Sequence, residues 1–288
     1  MSDSQYAVIY DLHSHTTASD GRLTPQELVH RAHEMRVGTL AITDHDSVAA
    51  IPAAREEIAR AGLPLTLVNG VEISTLWENH EIHIVGLNID IAHPTMTALL
   101  EEPESATPAA GPDDCRASGE GAHPWRLGRG AAAGGRWRRH PRPFCPFSGW
   151  RLAMRKTWRR SSKNTLARGK TGYVPPQWCT IKQAIDVIHH SGGKAVIAHP
   201  GRYDLSAKWL KRLLAHFSEQ GGDAMEVAQC QQAPHERAQL ATLAVQFGLL
   251  ASQGSDFHQP CAWIELGRKL WLPAGVEGVW HSWEAAAE

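Results

Sequence analysis

Histidine and carboxylate residues lie just behind the first apolar run of this chain, at a spacing that suits metal binding. His13 and His15 are two residues apart, and Asp20 follows in the next loop. Alternate residues of an extended strand point to the same side, so the two imidazoles are expected to lie close together. Imidazoles and carboxylates are common protein ligands of divalent metals. The stretch predicts part of a metal site, although a pair of histidines alone is also compatible with a polar strand edge.

The same spacing recurs near the other end of the chain, where Asp256 and His258 follow an apolar run. Further imidazoles and carboxylates lie beside or within other apolar runs: Asp44, His45, Glu72, His83 and His199. In a parallel barrel all strands end at one face, where such side chains would converge. Ordinary polar loops would not explain why lysine and glutamine are scarce at these positions. The set predicts a multinuclear metal centre, in which Asp44 and Asp46 are the weakest members because they could instead cap a helix.

Composition narrows the class of protein. The 288 residues carry a formal net charge of −1 and a pI of about 7.0, which favours neither nucleic acid nor a membrane surface as an electrostatic partner. No run is long enough to span a membrane, and the polar N-terminus does not resemble a signal peptide. The five cysteines include no CxxC pair, as expected of a cytoplasmic protein. No obligate protein partner is inferred.

Apolar runs alternate with segments of helical periodicity in both halves of the chain. Strands are expected at 7–10, 39–43, 64–68, 81–87, 195–198, 224–227 and 249–252. Thr24, Ser47 and Thr180 are expected helix N-caps, and residues 69–74 are expected to form a turn. The alternation predicts about seven βα units in a parallel α/β barrel or open sheet. Trp271 and Trp280 are expected to be packing residues.

The pattern disappears between about residues 101 and 168, which divides the predicted barrel domain into 1–100 and 169–288. The stretch 101–165 has no Ile, Val or Tyr, and no acidic residue occurs between Gly121 and Ile185. Without an apolar face it is expected to be disordered or loosely attached. Three interpretations stay open: a basic nucleic-acid-binding arm with Trp137 among arginines, a natural disordered insertion, or a stretch translated out of frame.

Seven motifs together resemble those of the PHP (polymerase and histidinol phosphatase) phosphoesterases. They are HxH at 13–15, SDG at 19–21, TDHD at 43–46, GVEIS at 70–74, EIHIVG at 81–86, IAHPGR at 197–202 and GSDFH at 254–258. The resemblance covers residues 7–100 and 169–260. GKTGYVPPQW at 169–178 and HPGRY at 199–203 are most similar to the bacterial branch that acts on 3′,5′-nucleotide bisphosphates and short RNA 5′ ends. That branch carries a helical cap before GKTGYV, and no matching cap motif is found here.

The resemblance implies a distorted (β/α)7 barrel, with the anomalous segment in place of the cap, and a centre of up to three divalent ions, usually Mn²⁺, with Mg²⁺ or Zn²⁺ as alternatives. Three ligand sets carry over by motif: His13, His15, Glu72 and Asp256; Glu72, His83 and His199; and Asp20, His45 and His258. The third set would act on the leaving-group side. Some relatives have a histidine at the position of Asp20, and an oxygen donor there suits Mn²⁺ or Mg²⁺ better than Zn²⁺.

The resemblance also implies the reaction. A water bridging two cations loses a proton near neutral pH and attacks phosphorus in line, so no protein nucleophile is needed. Arg202 is expected to bind a substrate phosphate bidentately, with Lys170 and Tyr173 as weaker candidates for substrate contact. The leading hypothesis is a phosphoesterase acting on nucleotide bisphosphates, such as adenosine 3′,5′-bisphosphate, or on short RNA 5′ ends. The alternatives are a histidinol-phosphate-type phosphatase and a nucleic-acid-binding module that uses the basic segment 121–170.

Overall fold

The structure, a computed structural model, describes residues 8–101 and 178–284. Seven strands form a sheet in sequence order: β1 (Tyr10–Asp11), β2 (Thr39–Ile42), β3 (Thr66–Trp77), β4 (His80–Leu87), β5 (Lys194–Ile197), β6 (Ala224–Ala228) and β7 (Leu250–Gln253). The helices are α1 (Pro25–Glu34), α2 (Ile51–Ala61), α3 (Pro94–Glu101), α4 (Ile181–His190), α5 (Ala207–Glu219), α6 (Pro234–Gln246) and α7 (His281–Glu284). The expected division at 101–168 falls almost wholly outside the described residues.

Within the part of the chain that the structure describes, no helix is both long and apolar enough to cross a lipid bilayer.

Two of the three expected helix caps are confirmed. Thr24 and Thr180 each accept a hydrogen bond from the backbone three residues on, and the side chain there reaches back to the cap, which is a capping box. Ser47 is not the cap of α2, because that helix begins at Ile51. Pro52 explains the later start: in a helix beginning at residue 48 its ring would lie beyond the first turn and meet a carbonyl of the preceding turn.

The sheet is mixed, which corrects the expectation of an all-parallel arrangement. β4 runs antiparallel to both β3 and β5, and β3 turns into β4 through Glu78 and Asn79, both with positive φ. Residues 69–74 lie inside β3, so the expected turn is wrong. The apolar residues Val71 and Ile73 pair with β4 in one continuous ladder. The chain reverses only at the polar pair Glu78 and Asn79.

The ends of the sheet approach each other and nearly close a barrel. β1 begins at Tyr10, later than expected, and Val8 is exposed. Beyond β1, the backbone N–H of Leu12 donates to Gln253 (3.0 Å) and that of His15 to Phe257 (2.9 Å). The segments that follow β1 and β7 therefore lie side by side. The expected seven-stranded, barrel-like α/β architecture is confirmed.

An apolar cluster fills part of the inner face of the sheet. It includes Leu12, Val85, Val196 and Trp280, and Trp280 stacks on Tyr10 with ring centroids 4.3 Å apart, as its expected packing role requires. Trp271 is half-exposed and lies beside the Arg237 guanidinium. Alternate residues share one side of a strand, so His83 projects to the same side of β4 as Val85.

Candidate metal centre

The two histidines after β1 lie side by side in the interior. His13 and His15 are fully buried, and their Nε2 atoms are 3.1 Å apart. Asp256 reaches the same place from the segment after β7, with its Oδ1 3.3 Å from His15 Nε2 and 3.5 Å from His13 Nε2. These three residues form one group of side chains whose donor atoms are close enough to share a cation.

Glu72 lies at the centre of the arrangement and is almost fully buried. Its Oε2 is 3.3 Å from the Nε2 atoms of both His13 and His15 and 3.2 Å from His45 Nδ1. Its Oε1 is 3.0 Å from His83 Nδ1 and 3.1 Å from His199 Nε2. One carboxylate thus contacts imidazoles from five positions of the chain. Residue 72 lies in the middle of β3, and its side chain projects from the inner face of that strand.

A further group lies on the side nearer the solvent. His15, Asp20, His45 and His258 have donor atoms within 4.8 Å of one another. Asp20 Oδ1 is 3.2 Å from His258 Nε2 and 3.7 Å from His15 Nδ1. The group contains the three residues of the third expected set, together with His15.

The nine expected ligand residues therefore converge, but the groups differ in detail from the three expected sets. His45 lies with Glu72 and His83 as well as with Asp20 and His258. Glu72 contacts members of all three expected sets. The antiparallel β4 explains part of this difference: His83 enters from mid-strand, across from Ser74 of β3, instead of from a strand end.

Two of these residues have a left-handed backbone. His199 has φ 30° and Asp256 has φ 52°, a region that costs non-glycine residues of the order of 1 kcal/mol or more. Such strain persists only where surrounding contacts over-determine the conformation, and it is common at functional sites. Here it turns both side chains toward the buried histidines.

The charges of the nine converging ligand residues, called the cluster from here on, depend on one another. Burial alone would lower the pKa of His15, but its close contacts with the Asp256 and Glu72 carboxylates outweigh burial and raise that pKa to about 9. Burial also opposes the charge on His83, but Glu72 and Glu81 raise its pKa to about 10. For His45 burial dominates and lowers the pKa to about 3. Near neutral pH, His15 and His83 therefore carry positive charge beside the carboxylates, whereas the His45 ring is neutral.

Burial alone would raise the pKa of Glu72, but the imidazoles around it hold that pKa well below its usual value. Its buried Oε2 lies 3.2–3.3 Å from nitrogen atoms of His13, His15 and His45 but accepts no well-aligned hydrogen bond from the described residues, and the buried Nδ1 of His199 has no hydrogen-bond partner among them either. A buried polar atom without a partner costs about 1–3 kcal/mol. A divalent cation would satisfy this anionic oxygen, so the residues fit the expected cofactor class.

Several predicted residues lie elsewhere. Asp44 accepts hydrogen bonds from the backbone of Thr16 and the hydroxyl of Ser19, so it supports the loop before Asp20 and is not in the described clusters. Asp46 accepts from Ser74. Neither caps α2. Lys170 and Tyr173 lie outside the described residues, as does the basic segment 121–170.

Arg202 lies beside the cluster and pairs with one of its carboxylates. Its guanidinium donates to Asp256 Oδ2. The side chain keeps 37% of its surface exposed, so it borders the solvent-facing edge of the centre.

Sequence reasoning missed two buried carboxylates next to the cluster. Glu226 on β6 contacts His13 Nδ1 at 2.6 Å. Asp11 accepts the backbone N–H groups of Ser255 and Gly267, both at 2.8 Å, and so supports the segment that carries Asp256. The signal for Glu226 was present, since it is the one charged residue in the apolar run 224–228.

Replacing Gly254 by alanine is expected to displace His13. A Cβ at this position would lie 2.3 Å from the His13 Cβ and 2.8 Å from its backbone nitrogen, far inside an ordinary contact of about 3.5–4.0 Å. We expect the free energy of unfolding to fall by about 1–3 kcal/mol, measured by urea denaturation, and divalent-metal binding to weaken.

Gly201→Ala is the matched control for Gly254→Ala. Among the described residues a Cβ there would approach only Leu240, at 3.7 Å, so stability and metal binding should stay close to those of the unmodified chain. Equal stability and metal affinity in both variants would contradict the close approach of residue 254 to His13.

The PHP domain family matches this chain over residues 11–174. The chain is 67% identical over 290 residues to a 5′-3′ exoribonuclease Rnm of Salmonella typhimurium, covering 99% of this chain and 97% of that protein. It is 36% identical over 287 residues to a 3′,5′-nucleoside bisphosphate phosphatase of Chromobacterium violaceum, covering 96% of each.

A solved structure is also similar. It is described as an amidohydrolase from Chromobacterium violaceum with bound sulfate and no metal, with a TM-score of 0.71, 33% identity and 96% of each chain covered. The matched residues include six of the nine converging residues, namely His13, His15, Asp20, His45, Glu72 and His83. The fold, the cluster and these similarities lead to one conclusion: the chain belongs to the PHP domain family.

Proposed function

We propose that this protein is a divalent-metal-dependent phosphoesterase that hydrolyses 3′,5′-nucleotide bisphosphates and the 5′ ends of short RNA. The observation that carries the proposal is the buried Glu72 carboxylate, surrounded within 3.0–3.3 Å by nitrogen atoms of five histidines. The names of the exoribonuclease and bisphosphate phosphatase relatives support a nucleotide or RNA substrate. A cytoplasmic location is part of the proposal, because an odd number of cysteines without a CxxC pair suits a reducing compartment.

The proposed cofactor is Mn²⁺, at up to three positions. The proposed ligands are His13, His15, Glu72 and Asp256 for the first ion, Glu72, His83 and His199 for the second, and Asp20, His45 and His258 for the third. Bound cations would supply an activated water and neutralise charge on the phosphoryl oxygens. The oxygen donor of Asp20 favours Mn²⁺ or Mg²⁺ over Zn²⁺, and the low pKa of His45 keeps its ring neutral, as a ligand must be.

Around this centre the chain's own residues hold and orient the reactants. The buried imidazoles exclude water from one side of Glu72, which strengthens electrostatic interactions inside the site. On the exposed side, the Arg202 guanidinium is proposed to bind a substrate phosphate through parallel N–H donors. Lys170 and Tyr173 are proposed as further substrate contacts on the strength of the sequence motif.

Changing Arg202 to glutamine should raise the KM for a phosphorylated nucleotide by about tenfold or more, because a hydrogen bond to a charged group is worth about 1.5–3 kcal/mol. Steady-state kinetics with adenosine 3′,5′-bisphosphate measure this change. Arg268→Gln is the control, since Arg268 donates to the carbonyl of Ala262 outside the cluster. A KM equal to that of the unmodified chain would remove Arg202 from the substrate site.

The test of the proposed function compares three substrates after chelation and repletion with Mn²⁺: adenosine 3′,5′-bisphosphate, a short 5′-phosphorylated RNA and histidinol phosphate. We expect released phosphate from the first and mononucleotides from the second, and no turnover of the third. Turnover of histidinol phosphate alone would replace this proposal by the small-phosphatase alternative. RNA binding that persists in EDTA and in His13→Ala, without hydrolysis, would favour the nucleic-acid-binding module.

A further inference from the structure

Glu226 is a buried charge that the proposed metal ligands leave unexplained. It lies on β6 and is only 1% exposed, on the side of the strand shared by Ala224. Burying a carboxylate is strongly unfavourable unless it is paired and hydrogen-bonded. The contacts of its two oxygens show how this charge is satisfied.

One oxygen of Glu226 fixes the orientation of His13. Oε1 lies 2.6 Å from His13 Nδ1. A carboxylate can only accept, so Nδ1 is the protonated nitrogen of the ring. The opposite nitrogen, Nε2, then faces Glu72 at 3.3 Å and Asp256 at 3.5 Å. Loss of a proton from Nε2 leaves its lone pair directed into the cluster, as a metal ligand requires.

The other oxygen of Glu226 holds the backbone of a second ligand residue. Oε2 accepts the backbone N–H of His199 at 2.6 Å and the side-chain amide of Gln229 at 2.9 Å. His199 has the left-handed φ of 30°, which needs such support. Its Nε2 lies 3.1 Å from Glu72 Oε1.

We propose that Glu226 is a positioning residue for the metal centre, which sets the tautomer of His13 with one oxygen and holds the strained backbone of His199 with the other. The inference rests on the proposed metal-dependent function and adds to it a residue that links two of the ligand sets. Carboxylates that orient metal-bound histidines typically change metal affinity by about 10–100-fold when they are mutated.

Glu226→Gln is the sharpest test, because the amide keeps the shape of the side chain. An amide has one acceptor and one donor end, so it cannot accept from both His13 and His199. We expect Mn²⁺ binding to the chelator-treated full-length chain, measured by isothermal titration calorimetry, to weaken by about 10–100-fold. In the metal-free chain, at a pH high enough to remove the Nε2 proton of His13, the ¹⁵N spectrum of the imidazoles, with His13 assigned by the loss of its signal in His13→Gln, should show a mixture of tautomers for that ring.

Glu57→Gln is the matched control. Glu57 also contacts a histidine at 2.6 Å, through His30 Nε2, and it is buried, but it lies on α2 outside the cluster. Its replacement should leave Mn²⁺ affinity and the His13 tautomer unchanged. The pair of variants therefore separates the loss of a histidine–carboxylate contact in general from its loss at the centre.

Gln229→Leu is a second and milder variant, in case Glu226→Gln does not fold. It removes the amide donor to Oε2 and should bind Mn²⁺ more weakly than Glu57→Gln does. Affinity equal to that of Glu57→Gln in every folded variant, with an unchanged His13 tautomer, would overturn the inference while the metal centre stands. An unmodified chain that binds no Mn²⁺ would overturn the proposed centre and, with it, the role of Glu226.

Discussion

Replacing Glu72 by glutamine should remove nearly all metal-dependent hydrolysis. The carboxylate supplies one oxygen beside His13, His15 and His45 and the other beside His83 and His199. An amide of the same shape carries no charge and offers only one acceptor oxygen. If the lost metal interaction is worth about 4 kcal/mol in the transition state, kcat/KM falls by about a thousandfold. Phosphate release from adenosine 3′,5′-bisphosphate measures the loss.

Metal content and a control variant make this result specific. Glu72→Gln should bind fewer Mn²⁺ ions per chain by elemental analysis, since Glu72 lies at the meeting point of the proposed sites. Glu78→Gln lies on the same β3–β4 hairpin, where Glu78 is paired with Arg212, and it should keep both its metal and its activity. A fully active Glu72→Gln with its full complement of metal would show that the cluster is not the catalytic centre.

Removing the metal should abolish activity, and its return should depend on pH with a definite sign. In the metal-free protein the pKa of His15 is raised to about 9 and that of His83 to about 10. Both rings are therefore protonated on both nitrogens and positively charged at pH 7. A ligand histidine must be neutral. Binding of Mn²⁺ therefore displaces protons, and the apparent affinity should rise as the pH increases from 7 toward 9.

Calorimetry in two buffers with different ionisation enthalpies measures the protons released per ion bound. We expect release near pH 7 and progressively less as the pH approaches the raised pKa values. The His30–Glu57 pair lies outside the cluster, so His30→Gln should release the same number of protons. Proton uptake on binding, or an affinity that falls between pH 7 and 9, would contradict the charge balance that the structure gives these histidines.

Features that depend on neighbouring residues could be predicted from the sequence. The capping boxes at Thr24 and Thr180 follow from local spacing. So does the closeness of His13 and His15, since alternate residues of an extended segment face the same way. The convergence of the remaining candidates followed from one further assumption, that strand-associated segments meet at one end of a barrel.

The candidate residues do converge, as that assumption predicts, but the strands do not all run in the same direction. Short apolar runs do not reveal whether a strand is parallel or antiparallel to the next. The β3–β4 hairpin is set by pairing between residues 70–77 of β3 and the whole of β4. His83 consequently reaches Glu72 across a hairpin, and the boundaries between the expected ligand sets shift with it.

The amino-acid sequence by itself determined which chemical groups are available, namely the imidazoles and carboxylates at motif spacing, and thereby the family and the class of metal. The tertiary structure alone decided which of them meet. The contact between His13 and Glu226 joins residues 213 positions apart, and strand order and register create it. The physical reason is that side-chain alternation acts within one strand, whereas the distance between atoms of different strands depends on how the whole sheet pairs and curves.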